Sequence, residues 1–329
     1  MKKNILIYNS GGGLGDSIQL FPLILTLKKN FEQAEFYYLG AHENHFLGSL
    51  EDYKINIKTL DLGLKYFGFR LWHFFAAKNK FEKCNIEKFD LIIDLQSKIR
   101  NTLILKRIPH KYFISPALNY GFSKPKIKIE KNGKLNNEII SAINAVFDKD
   151  CKLIDYDVSK IDRKFEDEAK KLLPSKNYVG FSITQGNVYR KKEWSLDNIV
   201  ILCEKLKQFN KVPVFFIEKK NQSLKKKIEN MIPNSLFPEH ESDLSSPTLV
   251  TCLAKRLDFV ISIDNGVMHM LSLSKIPMII LFGPTDPKKF APTYNKSIIL
   301  DSKKIYNTSD ISKITVEDVL QAAKQFSNF

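Results

Sequence analysis

Asp16 follows a glycine run, Gly11-Gly12-Gly13-Leu14-Gly15, between a short apolar stretch, Ile5–Tyr8, and an apolar helical pattern over Ile18–Leu27. A carboxylate at that position can take the proton of a hydroxyl as the hydroxyl attacks an electrophile. The positive end of a helix keeps such a group ionised, as a base requires. A plainer alternative is a first-turn acid that complements the helix dipole. Two phosphate-binding readings of the glycines fail on spacing. G-x-G-x-x-G counted from Gly11 ends on Asp16, and it misses from Gly12 and Gly13 as well; no Gly-Lys-Ser/Thr follows.

A second group of chemical residues lies in the other half of the chain. Ser262-Ile263-Asp264-Asn265-Gly266-Val267-Met268-His269 reads as a buried strand entering a helix through a turn. Asp264 or Asn265 can cap that helix. Gly266 permits close approach, and the first-turn amides can hold an anion. His269 alone reads as a partly buried, satisfied histidine. Gly283-Pro284-Thr285-Asp286-Pro287 follows the next strand and reads by itself as a Pro-rich turn. Adjacent parallel strands would bring both turns to one edge. Thr184-Gln185-Gly186-Asn187 leads into Tyr189-Arg190-Lys191-Lys192-Glu193-Trp194. Lys192 can neutralise charge on a departing diphosphate; the run equally reads as a solvated basic face.

These residues need elements to hold them. Short apolar stretches at Ile5–Tyr8, Phe36–Leu39 and Leu91–Leu95 alternate with helical patterns, including one over Lys98–Leu105. The pattern restarts after residue 160. Strands are expected at Tyr178–Ile183, Val212–Ile217, Phe259–Ile263 and Met278–Phe282, with helices at Phe165–Leu173, Leu196–Gln208, Leu224–Met231, Pro247–Arg256 and Val267–Ser274. Alternation of this kind predicts an α/β fold of two doubly wound, Rossmann-like domains, 1–160 and 161–329. A final helix over 315–329 is expected, with the option of packing back on the first domain. Ligands of such sheets bind beyond the carboxyl ends of the strands, here the expected inter-domain cleft. Residues 120–135 are basic, contain Gly and Pro, and lack an apolar face; they predict a loop or exposed strand.

The net charge of +15 favours anionic partners: phosphorylated small molecules, an anionic membrane surface or nucleic acid. The charges are spread over both halves without a recognisable nucleic-acid motif, so no nucleic-acid partner is expected. Cys84, Cys151, Cys203 and Cys252 lack paired spacing and read as thiols of a reducing compartment, with no metal site. No signal-peptide core or membrane span is visible. A cytoplasmic monomer is expected, with any membrane contact peripheral.

Together the motifs resemble glycosyltransferase family 9, the ADP-heptose:lipopolysaccharide heptosyltransferases. The resemblance runs through Gly15-Asp16 with Ile18-Gln19-Leu20-Phe21-Pro22-Leu23, then Asp94-Leu95-Gln96, Lys192-Glu193-Trp194, Asp264-Asn265-Gly266-Val267-Met268-His269 and Phe282-Gly283-Pro284-Thr285-Asp286-Pro287. It implies a GT-B fold and metal-independent, inverting transfer of a sugar, a heptose from ADP-heptose, onto a lipopolysaccharide-core or related glycolipid acceptor. It implies no cofactor; a nucleotide-diphospho-sugar, ADP-linked, is the co-substrate. By motif match Asp16 becomes the base and Lys192 the lysine on the donor diphosphate. Thr184, Gln185, Gly186, Asp264, Asn265, Gly266, His269, Gly283, Pro284 and Thr285 become donor-binding, and Gly13, Gly15, Gln96 and Arg100 acceptor-binding. Domain closure would join base and donor. The acceptor would be an anionic glycolipid on the cytoplasmic face of the inner membrane, with Lys124–Lys134 a candidate contact. Asn265 stands where the family usually has Thr, Ser195 where it has Pro, Ser97 where it has Gly, and Arg100 where it has Lys. The alternatives are a GT-B sugar-nucleotide binder with another donor or no activity, and a nucleotide-dependent oxidoreductase.

Overall fold

A computed structural model describes residues 3–326 apart from 42, 132, 187, 188, 190 and 293. The chain divides into two compact units, Met1–Asp157 and Val158–Phe329. Each is built on one five-stranded parallel sheet.

The first unit contains β1 (Lys3–Asn9), α1 (Leu14–Gln19), α2 (Phe21–Asn30), β2 (Ala34–Gly40), β3 (Lys58–Thr59), α3 (His73–Phe81), β4 (Phe89–Asp94), α4 (Ile99–Leu105), β5 (His110–Ile114) and α5 (Leu135–Phe147). Its strand order is β3-β2-β1-β4-β5. β1 is central and buried from Ile5 to Asn9, which explains its uninterrupted apolar run: a parallel strand covered on both faces has no polar side. One helix expected over Ile18–Leu27 is in fact two. Pro22 has no N–H to donate to the preceding turn, so α1 closes with Leu20 N–H donating to Ser17 O at 3.1 Å. A new helix then opens with Pro22 in its first turn.

The second unit contains α6 (Arg163–Leu172), β6 (Tyr178–Ser182), α7 (Leu196–Lys207), β7 (Val212–Phe215), α8 (Gln222–Met231), α9 (Pro238–Glu241), α10 (Pro247–Ala254), β8 (Leu257–Ile263), α11 (Gly266–Ser272), β9 (Met278–Phe282), α12 (Pro287–Phe290), β10 (Ser297–Asp301), α13 (Ser302–Tyr306) and α14 (Val316–Ala323). The strand order is β10-β9-β8-β6-β7. The final helix, α14, buries Val316, Val319, Ala322 and Ala323 in a cluster with Ile199 and Leu202 of α7 and Leu281 of β9. Those residues form one apolar stripe at helical spacing, and the second unit's own core covers it. A capping box between Thr315 and Asp318 starts the helix; residues 327–329 of the expected helix lie outside the described residues.

Residues 120–135 carry little regular structure, apart from an antiparallel bridge between Phe113 and Lys124. Among the described residues, no helix is long and apolar enough to cross a membrane.

Candidate active site

In both sheets the chain order reverses beside one central strand. That topological switch point lies between β1 and β4 in the first unit, and between β6 and β8 in the second. Loops diverge there and leave a crevice beyond the strands' carboxyl ends. Most residues singled out from sequence lie at these two places; Gly283, Pro284 and Thr285 lie one strand away, after β9.

In the first unit the glycine loop leaves the end of β1 and enters α1, whose N-cap is Gly13. Asp16 is the third residue of that helix and is half-buried. Its carboxylate folds back over the loop: a Cβ on Gly11 would stand 3.0 Å from Asp16 Oδ2, and one on Gly13 3.2 Å. Neither glycine tolerates a side chain while the acid keeps this position. Buried Asn9 holds the loop from below. Its Oδ1 accepts from Gly11 N–H at 3.0 Å and from Gln96 Nε2 at 3.2 Å. His45 Nε2 lies 3.1 Å from Gly12 O, and Ser49 Oγ lies 3.3 Å from His45 Nδ1. A ring protonated on Nε2 satisfies both contacts. Tyr38 lies within hydrogen-bonding reach of Ser17 and Asn9, and burial, with the Asp16 charge as a lesser cause, pushes its hydroxyl up to about 12. Gly15 is buried. Asn9, Tyr38 and His45 were not marked in the sequence, because their function is to meet residues remote along the chain.

Gln96 and Arg100 follow β4. Gln96 is tied to Asn9 as described, and its N–H donates to Asp94 Oδ1 at 2.9 Å. Thr102 Oγ1 and Ser115 Oγ donate to Asp94 Oδ2 at 2.6 and 2.8 Å. Arg100 is exposed, with Nε 3.4 Å from Asn101 Oδ1 and its guanidinium 5.9 Å from the centre of the Phe69 ring. Burial raises Asp94 from 3.8 to about 6, and the three hydrogen bonds only partly oppose it. A carboxyl raised in the folded state binds protons more readily there than in the unfolded chain. Its contribution to stability therefore grows as pH falls from about 6 to about 4, and is lost as pH rises through that window. Urea midpoints measured across this range should show wild type gaining stability relative to Asp94→Asn as pH falls; parallel profiles would contradict the assignment.

In the second unit, Asn265 rather than Asp264 caps α11, accepting from Met268 N–H at 2.8 Å. Its amide donates across the switch point to Ser182 Oγ at 2.8 Å and Thr184 O at 2.9 Å. Asp264 is thereby free for Lys192, whose ammonium donates to the Asp264 carboxylate and, at 3.2 Å, to its carbonyl. The pair is deeply buried, Lys192 9% and Asp264 6% exposed, so the surface-lysine reading is excluded. Lys192 N–H donates to Gln185 Oε1 at 2.9 Å. Two residues on, Trp194 is 4% exposed and its indole donates to Ile314 O at 2.8 Å. The indole anchors the segment and the lysine projects from it.

Asn265 with Thr184, and Lys192 with Gln185 and Asp264, thus form two hydrogen-bonded sets that meet at the Asp264–Asn265 peptide bond. Gly186 is exposed beside them in sequence, and Gly266 opens α11. Its N–H and that of Val267 belong to the first turn, where no intrahelical acceptor exists. His269 is buried in the same helix. Gly283, Pro284 and Thr285 follow β9, which pairs with β8. Gly283 is packed against Ser309 and Ile311, and Pro284 O accepts from Lys303 Nζ at 2.9 Å. The Thr285 hydroxyl is buried without a hydrogen-bond partner. A cavity of about 380 Å³ is lined by Gln185, Lys191, Glu193, Asp310 and Ile311. Asp310 and Ile311 arrive from beyond β10, with no local pattern to mark them. Arg190 and Asn187 lie outside the described residues. Among the described residues, no group of three or more His, Cys, Asp and Glu side chains could hold a metal ion.

The sequence profile of glycosyltransferase family 9 (heptosyltransferase) matches residues 81–320, most of the chain, with all of the second switch point and the β4 side of the first. The chain belongs to glycosyltransferase family 9. Lipopolysaccharide heptosyltransferase 1 of Campylobacter coli is 23% identical over 95% of this chain and 96% of its own length. A family 9 glycosyltransferase from Veillonella parvula has the same fold with a TM-score of 0.72 at 17% identity, covering 99% of this chain and 97% of that one. E. coli heptosyltransferase WaaC with ADP matches with a TM-score of 0.68 at 15% identity, over 98% of this chain and 100% of that one. These likenesses establish a GT-B fold of two Rossmann-like units. Two departures from the usual family motifs have local roles in this glycosyltransferase. Ser195 caps α7, accepting from Asn198 N–H at 3.2 Å. Asn265 caps α11 with its oxygen while its amide donates to two acceptors, Ser182 Oγ and Thr184 O; a threonine hydroxyl has one hydrogen to donate.

Proposed function

We propose that this glycosyltransferase transfers a heptose from ADP-heptose onto a lipopolysaccharide-core acceptor, with inversion and with no bound metal or cofactor required. The observation that carries the reading is the Lys192–Asp264–Asn265 cluster at the second switch point. It holds a cation and a helix start side by side, and a departing diphosphate needs both. Asp16 is the base. It accepts the proton of an acceptor hydroxyl, the oxygen bonds to the anomeric carbon, and the bond to the diphosphate breaks with its electrons on phosphate oxygen. One displacement inverts the configuration. Lys192 and the amides at Gly266 and Val267 stabilise the leaving oxygens. The named activities of the C. coli relative and the E. coli structural neighbour agree with this donor and acceptor.

A thermal-shift panel of ADP-heptose, ADP-glucose, UDP- and GDP-sugars and NAD tests the donor. Binding at a hundredfold excess over Kd should raise Tm by roughly 5–10 °C. A rise confined to ADP-linked sugars is expected. A response to NAD alone, or to no nucleotide sugar, would sink the reading.

A further inference from the structure

The first unit displays an apolar surface that the proposed reaction does not use. Between β3 and α3 the chain alternates in its burial: Phe67 and Gly68 are buried, while Leu71 is 74%, Trp72 55% and Phe75 76% exposed. Phe69 and Tyr66 are exposed beside them, and α4, which packs on α3, adds exposed Ile99 and Leu103. Soluble surfaces rarely gather large apolar side chains in this way without a partner.

The display is rigid. Tyr8 of β1 donates its hydroxyl to Phe67 O at 2.9 Å, and Gly68 N–H donates to Nδ1 of buried His73 at 3.2 Å. Gly68 has φ +87°, and any Cβ there would strike the Tyr8 hydroxyl. Across the start of α3, Phe75 stands three residues after Trp72 and four after Leu71, so it neighbours both.

Charge selects the partner. No acid occurs from Leu62 to Phe81, nor from Leu95 to Ile129. The cations present border the rings: the Arg100 guanidinium lies 5.9 Å from the centre of Phe69, and that of Arg107 4.8 Å from Phe74. Arg70, Lys78 and Lys98 are exposed nearby in sequence. Aromatic and aliphatic tips bordered by arginines, with a tryptophan among them and the next acid along the chain, Glu82, 3.9 Å from Lys78, match the boundary between acyl chains and anionic headgroups. Each well-placed cation adds up to roughly fivefold to such binding. The basic stretch Lys124–Lys134 lacks an equivalent: Ile129 is buried and Ile127 half-buried, so it offers charge with nothing to insert.

We infer that Phe69, Leu71, Trp72 and Phe75, bordered by Arg70, Arg100 and Arg107, seat this enzyme on an anionic lipid surface. The inference rests on the proposed function in one respect, the lipid anchor of the acceptor. Ile99 and Arg100 begin the helix that leaves the carboxyl end of β4, beside the β1 end that carries the glycine loop. Lipid seated on this patch therefore approaches the edge of the sheet from which Asp16 emerges.

The chain has two tryptophans, and they separate the outcomes: Trp194 is 4% exposed and Trp72 is 55% exposed. The full chain is sedimented with vesicles of phosphatidylglycerol and phosphatidylethanolamine in equal parts, and with phosphatidylcholine alone. Binding to the first and much weaker binding to the second are expected. Lipids brominated on the acyl chains should quench the intrinsic fluorescence, and Trp72→Phe should bind but lose the quenching. Leu71→Ser/Trp72→Ser/Phe75→Ser should keep the melting temperature and lose roughly 100-fold in partitioning. Three results would overturn the inference: no binding to anionic vesicles, binding without quenching that survives the triple substitution, or a concentration-dependent dimer that the triple substitution abolishes. None of these readouts uses donor or turnover, so this test and the nucleotide-sugar panel fail independently.

Discussion

Asp16→Asn is expected to lower kcat by roughly 10²–10⁴-fold, the range for loss of a general base, while donor affinity stays within about twofold. The substitution keeps the shape of the side chain over Gly11 and Gly13, and the loop remains pinned by Asn9 and His45. Only the ability to accept a proton disappears. The competing account, an acid that complements the dipole of α1, makes a different forecast. It requires a loss of about 0.3–1 kcal/mol in stability and unchanged turnover. Steady-state transfer, a donor titration and a melting curve on the same preparation separate the two. Full turnover in the variant would remove Asp16 from the mechanism.

Lys192→Ala should damage both stability and chemistry. The Asp264 carboxylate, 6% exposed, would be left without its counter-ion, and breaking a buried pair on one side costs about 3–5 kcal/mol. Donor affinity should fall by roughly 10–100-fold with the loss of a charge-assisted hydrogen bond to diphosphate, and kcat by roughly 10²–10³-fold. A second variant, Lys192→Met/Asp264→Asn, isolates the second effect. Removing both charges should recover much of the lost melting temperature, because no isolated charge remains buried. It should not recover donor binding. If calorimetry showed the double variant binding donor as tightly as wild type, the lysine would serve Asp264 alone.

Much of this molecule is legible along the chain. The alternation of apolar runs and helical stripes announces two parallel α/β units, because a strand covered on both faces must be apolar throughout. The Gly-Asp, Lys-x-Trp, Asp-x-Gly-x-x-His and Gly-Pro-Thr segments lie at strand ends, where turn chemistry is written locally. Other elements were not visible. α3, β5 and α5 lie outside the elements expected from sequence, although Ile139, Ile140 and Ile143 of α5 are buried on one face. Pro22 divided a helix that periodicity joined.

The tertiary structure decided how the chemical residues are held. Lys192 looks in sequence like one more member of a basic run; only the fold brings Asp264, 72 positions away, to its ammonium. The same is true of Asn9 and Gln96, 87 residues apart, which meet because β1 and β4 are neighbours. Strand order and register are set by the packing of whole layers, and local sequence carries no record of which strands will touch. Residue types and their spacing therefore determine what chemistry this protein can attempt. Which charges are paired, which hydroxyls stay unpartnered and which apolar side chains face water depend on contacts that exist only once both sheets have formed.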